Sequence, residues 1–183
     1  KDLKMEILCE VLDKKLPLRA HAHRADDIMT AVRIAREFDL DIVLEHCTEG
    51  HLIADELAKL DVPAIVGPSL SNRSKVELKN LSFKTPGVLA EKGVKVAIMT
   101  DHPVIPIQYL PVCAALAVRE GMKEEDALAA ISIRAAEILG IADRVGSLDA
   151  GKDADVVIWN GYPLDIMSKP CLVIIDGKIA YEN

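Results

Sequence analysis

The sequence predicts an α/β protein built as half of an eight-stranded parallel barrel with a small β-unit after it, and three observations predict it. Short β-branched runs alternate four times with stretches of helical periodicity. Each run is apolar on both faces, the pattern of strands covered by helices in a parallel sheet. No G-x-G-x-x-G and no G-x-x-x-x-G-K-[ST] follows a strand, so an open doubly wound sheet lacks its usual signature and the barrel is favoured. A closed barrel needs eight such repeats and about 250 residues, so four repeats amount to half of one.

The elements follow in order. Leu3, Ile7, Leu8, Val11 and Leu12 share one helical stripe until Pro17 breaks it, and Leu18 to Ala22 follows as a strand. From Asp26 to Phe38 the apolar residues Ile28, Val32, Ala35 and Phe38 return at helical spacing, with Asp26 and Asp27 in the first turn against the helix dipole. Asp41 to Cys47 is the second strand, Gly50 to Leu60 is helical, and Val62 to Val66 is the third strand. Pro68 to Leu81 is a long polar connection, Thr85 to Lys92 a short helix closed by Gly93, and Val94 to Thr100 the fourth strand. Leu110 to Glu120 and Lys123 to Leu139 read as Ala- and Leu-rich helices, the second opened by Glu124, Glu125 and Asp126 and ended by Gly140. From Gly146 the character changes to β-rich segments with Asp-Gly and Ala-Gly turn signals. The domain division expected is therefore 1–145 for the half barrel with its helices and 146–183 for the β-unit.

Composition narrows the function classes. A chain of 183 residues that is 50% hydrophobic can bury a sizeable core. The net charge is −7, and Lys and Arg are scattered without a basic run, so neither nucleic acid nor an anionic membrane is an expected partner. Apolar runs stop well short of the roughly 20 residues that a membrane span needs. Cys9, Cys47, Cys113 and Cys171 lie far apart in apolar segments, which fits a reducing, cytoplasmic setting better than a disulfide scaffold. The chain opens on KDLKMEILCEV, in mid-helix pattern and without Met, so a preceding segment is expected.

In a parallel barrel the functional side chains gather at the C-terminal strand ends, which all open on one face. The first predicted strand ends in Arg19-Ala-His21-Ala-His23, the second in Glu45-His46-Cys47 and the fourth in Thr100-Asp101-His102. Two imidazoles and a carboxylate from separate strands, His21, His46 and Asp101, suit a zinc ion or a related divalent ion with positions left for water. Such an ion lowers the pKa of its water towards roughly 7 and polarises a carbonyl oxygen. Asp101 could then hold the ion or its water, take the proton during attack and return it to a leaving amine. His23 is an alternative ligand or a substrate contact, and His102 on a loop is a substrate contact or a structural residue. Glu45 and Cys47 alternate with His46 and are expected in the barrel wall, where Cys47 has no base assigned to it. His51 reads as a helix-start residue. Ser71, Asn72 and Arg73 lie in the long loop, either closing over a substrate or simply solvated, and Arg73 is carried as a substrate-binding candidate.

Three segments resemble the amidohydrolase superfamily, and more narrowly its imidazolonepropionase-like branch of cyclic-amidohydrolase and dipeptidase relatives. LRAHAHRADDI is similar to the family's fifth strand, whose first His binds metal, which implies that role for His21. DIVLEHCTEGH resembles the sixth strand, whose His is a ligand or transition-state partner, implying the same for His46. VKVAIMTDHPV resembles the eighth, whose Asp is ligand and general base, implying both for Asp101. RVGSLDAGKDADVVIWNGYPLD is similar to the segment that returns from the barrel to a β-sandwich. The family's H-x-H of strand one and the Lys or Glu of strand four have no counterpart; HAHR sits where strand five belongs. The resemblance therefore implies strands 5–8 of a (β/α)8 barrel plus the C-terminal sandwich strands, with half of the metal shell upstream.

The implied activity is metal-dependent hydrolysis of carbon–nitrogen bonds in a cyclic amide, amidine or dipeptide-like substrate. Zinc is the expected ion, iron and manganese suit the same ligands, and the intact enzyme holds one or two. The expected partners are a small-molecule substrate and the missing N-terminal half of the same protein, with a homo-oligomer left open. The 183 residues by themselves are expected to be inactive, since an incomplete shell neither fixes geometry nor excludes bulk water. Two rivals stand beside this reading: a non-catalytic barrel module for binding or assembly, and a phosphotriesterase-like hydrolase on the same fold.

Overall fold

A computed structural model describes residues 2–183. Four strands, β1 (Leu18–Ala22), β2 (Ile42–His46), β3 (Ala64–Val66) and β4 (Val96–Ile98), form one parallel sheet in the order β1-β2-β3-β4. Each new strand adds beside its predecessor in the same direction. A doubly wound sheet reverses that direction at a switch point, so the order is that of a barrel segment.

The helices cover one face of the sheet. α2 (Ala25–Glu37) buries Ile28, Val32 and Ala35 at helical spacing, while Phe38, predicted on the same stripe, caps the helix and stays exposed. α3 (Ala54–Leu60), preceded by a separate 3-10 turn over Gly50–Leu52, and α4 (Thr85–Glu91) complete the layer. Their side chains meet Ile42, Leu44, Ala64, Val66 and Val96 from the strands in the largest core cluster. On the opposite face, Val43, Ile65 and Ala97 pack with Ile138 and Ala135. The alternation of side chains along a strand produces this division.

After β4 come α5 (Leu110–Arg119), α6 (Glu124–Ala130) and α7 (Ile133–Leu139). The single helix predicted over Lys123 to Leu139 is thus two helices, and the break falls at Ser132, with φ −141° and ψ −102°. The Ser132 hydroxyl donates to the Leu128 carbonyl at 2.7 Å, and the turn re-aims α7 so that Ala135 and Ile138 reach the sheet. Gly140 then ends α7 at φ +71°, the left-handed cap conformation that its missing Cβ permits.

The last segment is a three-stranded antiparallel sheet of β5 (Val156–Trp159), β6 (Pro170–Ile175) and β7 (Lys178–Glu182), in that order. Asp176 and Gly177 form the β6–β7 turn with φ of +50° and +72°, the two positive values that a tight hairpin of this hand requires. The first helix, α1 (Leu3–Leu12), matches its predicted span, but Leu3, Ile7, Leu8 and Leu12 face outward. No helix among the described residues is long and apolar enough to cross a membrane.

Candidate metal centre

The C-terminal ends of the parallel strands bring three imidazoles together. His21 lies on β1, His23 just beyond it and His46 at the end of β2. Their ring centroids are 4.8 Å (His21–His23), 4.2 Å (His21–His46) and 4.5 Å (His23–His46) apart. One nitrogen from each lies within 4.8 Å of the others, a donor set whose chemistry fits a divalent transition-metal ion. His23 and His46 are buried and His21 is exposed.

Asp101, three residues past Ile98 at the end of β4, lines the same cavity of about 200 Å³ as the three histidines. The structure therefore gathers His21, His46 and Asp101 at one end of the sheet, with His23 beside them. Neither Arg73 nor His102 joins them. Arg73 donates from Nη2 to the Leu81 carbonyl at 2.8 Å and lines a neighbouring polar cavity with Asn72, Ser82 and Glu120. The ring of His102 accepts the Ile107 backbone N–H at 3.3 Å and so closes the loop after β4. His51 pairs with the Thr85 hydroxyl at 2.9 Å, at the helix-covered side.

Backbone geometry turns two of these residues into place. Alternation along β2 puts His46 on the helix-facing side with Ile42 and Leu44, but its φ of +67° breaks the alternation and swings the ring into the cavity. Asp101 has φ +53°, in the same left-handed region. Non-glycine residues held there by their surroundings cluster at functional sites, which agrees with the position of both. Glu45, expected in the barrel wall, instead accepts Arg19 Nε at 2.6 Å on the other face.

Hydrogen bonds then fix the rings. His46 Nδ1 lies 2.8 Å from the carbonyl oxygen of Gly67, which only accepts, so Nδ1 carries the proton and Nε2 the free lone pair. The third strand, which ends in neither His nor Asp, thus contributes a backbone carbonyl instead. His23 Nδ1 lies 2.8 Å from the Thr48 hydroxyl, and the Glu49 N–H donates to the His23 carbonyl at 2.8 Å. Burial, helped by the neighbouring His46 and His21 rings, lowers the His23 pKa to about 4, which leaves that ring neutral near pH 7.

The buried Glu49 carboxylate accepts the Ala25 N–H at 2.9 Å and Asn80 Nδ2 at 2.7 Å, tying the start of α2 to the end of the 68–81 loop. Burial opposes its ionisation, yet these hydrogen bonds hold it below the usual carboxylate range. Sequence reading overlooked Gly67, Thr48 and Glu49. The Val66-Gly67-Pro68 end of β3 and the polar pair directly after Cys47 are the signals that point to them.

Cys47 is fully buried in the helix-facing core, and burial pushes its thiol up to about 12, far from a nucleophile's range. Thiol labelling of the native protein at pH 8 should modify the exposed Cys9 and leave Cys47 untouched until denaturant is added; rapid native labelling of Cys47 would contradict this placement.

Comparison with known proteins bears on this constellation. The sequence profile of the amidohydrolase family matches residues 5–180. The chain is 27% identical over 186 residues to the amidohydrolase tasK of Hapsidospora irregularis, covering 100% of this chain and 19% of that protein. It is 30% identical over 149 residues to the imidazolonepropionase of Paracidovorax citrulli (strain AAC00-1), covering 79% of this chain and 34% of that protein. Among solved structures, an amidohydrolase from Thermotoga maritima MSB8 superposes with a TM-score of 0.96 at 50% identity, covering 100% of this chain and 48% of that one. A Xaa-Pro dipeptidase with bound methionine in its active site matches in fold, with a TM-score of 0.74 at 24% identity, 97% coverage of this chain and 47% of that one. The chain spans about half or less of the length of each.

Proposed function

The chain belongs to the amidohydrolase family, and from that premise we propose that it supplies strands 5–8 of the barrel of a metal-dependent hydrolase of carbon–nitrogen bonds. The carrying observation is the convergence of His21, His46 and Asp101, from three strand ends, on one cavity. Residues 1–145 are then the half barrel with its C-terminal helices, and 146–183 the last strands of a composite β-sandwich. The outward-facing Leu3, Ile7, Leu8 and Leu12 of α1 support this, since an apolar stripe of that size calls for a covering partner, here the preceding half of the same protein.

His21 and His46 would hold such an ion through ring nitrogens, and Asp101 would add its carboxylate. When bound, a divalent ion, zinc first among iron and manganese, acidifies water and polarises a carbonyl oxygen. Asp101 takes the proton of the attacking water at its carboxylate and delivers it to the leaving nitrogen. Gly67 keeps His46 in the one tautomer that frees Nε2. The substrate is a small cyclic amide, amidine or dipeptide-like molecule, in keeping with the imidazolonepropionase and dipeptidase relatives.

The test uses the intact protein that carries this chain. It should hold divalent metal after purification, lose hydrolysis on chelation and regain it with Zn²⁺. In a screen of lactams, dipeptides and phosphoesters, the amides should be turned over. Absence of bound metal overturns the metal centre, and turnover of phosphoesters alone overturns the substrate class.

A further inference from the structure

Two of the clustered imidazoles rest on oxygens of different chemistry. The Gly67 carbonyl beside His46 Nδ1 can only accept, which makes Nε2 of that ring a lone-pair donor. His23 is placed otherwise. Its Nδ1 lies 2.8 Å from the Thr48 hydroxyl, which is able to donate. Its Nε2 lies 3.8 Å from a Glu77 carboxylate oxygen, which can only accept. The Glu77 carboxylate therefore favours the proton on Nε2, an arrangement in which the Thr48 hydroxyl donates to a bare Nδ1. A ring in that tautomer offers a cation no lone pair at Nε2 and offers the cavity an N–H instead. Thr48 is itself buried, at 3% exposure, and its carbonyl receives the Thr85 hydroxyl at 3.4 Å, so its own position is secured from the α4 side.

Resting on the assignment of His21 and His46 as ligands, we propose that His23 is a catalytic hydrogen-bond donor rather than a third ligand, and that Thr48 is the positioning residue that holds its tautomer. As the water oxygen adds to the substrate carbonyl carbon, the C=O π pair moves onto oxygen, and the Nε2–H of His23 binds that oxygen without giving up its proton. The water proton goes to Asp101. When the carbon–nitrogen bond breaks, its electron pair leaves on nitrogen, which receives the proton back from Asp101. His23 thus supplies a preorganised donor at the atom where negative charge develops, the kind of group whose removal costs about 10²–10³-fold in turnover.

The tautomer is directly observable. In the intact protein labelled with ¹⁵N at histidine, multiple-bond ¹H–¹⁵N spectra should show His23 protonated at Nε2 and bare at Nδ1. Thr48→Val should lose that pattern and Thr48→Ser restore it. His23→Gln, which keeps an amide donor, should hold Zn²⁺ with an affinity within about threefold of the parent, whereas His46→Asn should weaken it by at least about tenfold, as loss of a ligand does. His23→Ala should lower turnover of the best amide from the screen by about 10²–10³-fold. A proton found on Nδ1 of His23, undiminished turnover in His23→Ala, or a tenfold loss of Zn²⁺ affinity in His23→Gln overturns the proposal. Unchanged Zn²⁺ binding in His46→Asn overturns the ligand assignment instead, and the wild-type spectrum still decides the tautomer of His23.

Discussion

Asp101→Asn is expected to lower turnover in the intact enzyme by about 10²–10⁴-fold, the usual contribution of a positioned proton-transfer group. The substitution removes the charge that serves both the ion and the proton transfer while leaving the shape of the side chain. Asp101 sits at φ +53°, a left-handed conformation that Asn tolerates as readily as Asp, so the backbone has no reason to move. The surrounding turn is held by main-chain groups, with Val104 N–H donating to the Asp101 carbonyl at 2.8 Å and Ile105 N–H to the Thr100 carbonyl at 3.2 Å. Stability should accordingly change by no more than about 0.5 kcal/mol, as for other exposed positions. Steady-state kinetics and thermal melts on the same preparation check both halves. Undiminished turnover would remove Asp101 from the proton path, and a large drop in melting temperature would mean that the residue serves the fold.

Gly67→Ala should be the most damaging single methyl group near the site. Gly67 has φ +145°, a conformation that side chains rarely adopt, and a Cβ there would lie 2.2 Å from the Met99 carbonyl oxygen. The obstacle is backbone on the neighbouring strand end, which cannot rotate away. Strain and overpacking together should cost about 2–5 kcal/mol, read as a shift in the denaturant midpoint. Because the Gly67 carbonyl also holds His46 Nδ1, any shift that relieves the clash misaims that ring, and Zn²⁺ affinity should fall about 10–100-fold, the usual effect of losing such an outer partner. A variant with parental stability and parental Zn²⁺ binding would show that this carbonyl orients nothing.

The fold was legible where periodicity is enforced by burial. The Ile28, Val32 and Ala35 stripe and the doubly apolar strands announce themselves, because a sheet covered by helices leaves few polar options at those positions. The break at Ser132 was hidden, since an Ala-rich stretch has the same helix propensity on both sides and only packing against Val43, Ile65 and Ala97 turns the chain there. Arg73, a substrate-binding candidate by its loop, donates to the Leu81 carbonyl and lines the cavity next to that of the histidines, a placement that only the folded loop defines.

By itself the sequence determined the α/β class, the order of elements and the candidates His21, His46 and Asp101, because strand ends on one face of a parallel sheet are where polar residues become usable. Tertiary structure alone decided which of them meet, and how. The positive φ that turns His46 against the alternation of β2, the Gly67 carbonyl that fixes its proton and the Thr48 hydroxyl opposite His23 are properties of backbone position and distance. Such properties leave no mark in residue type, since every residue carries a carbonyl and only the fold says where it points.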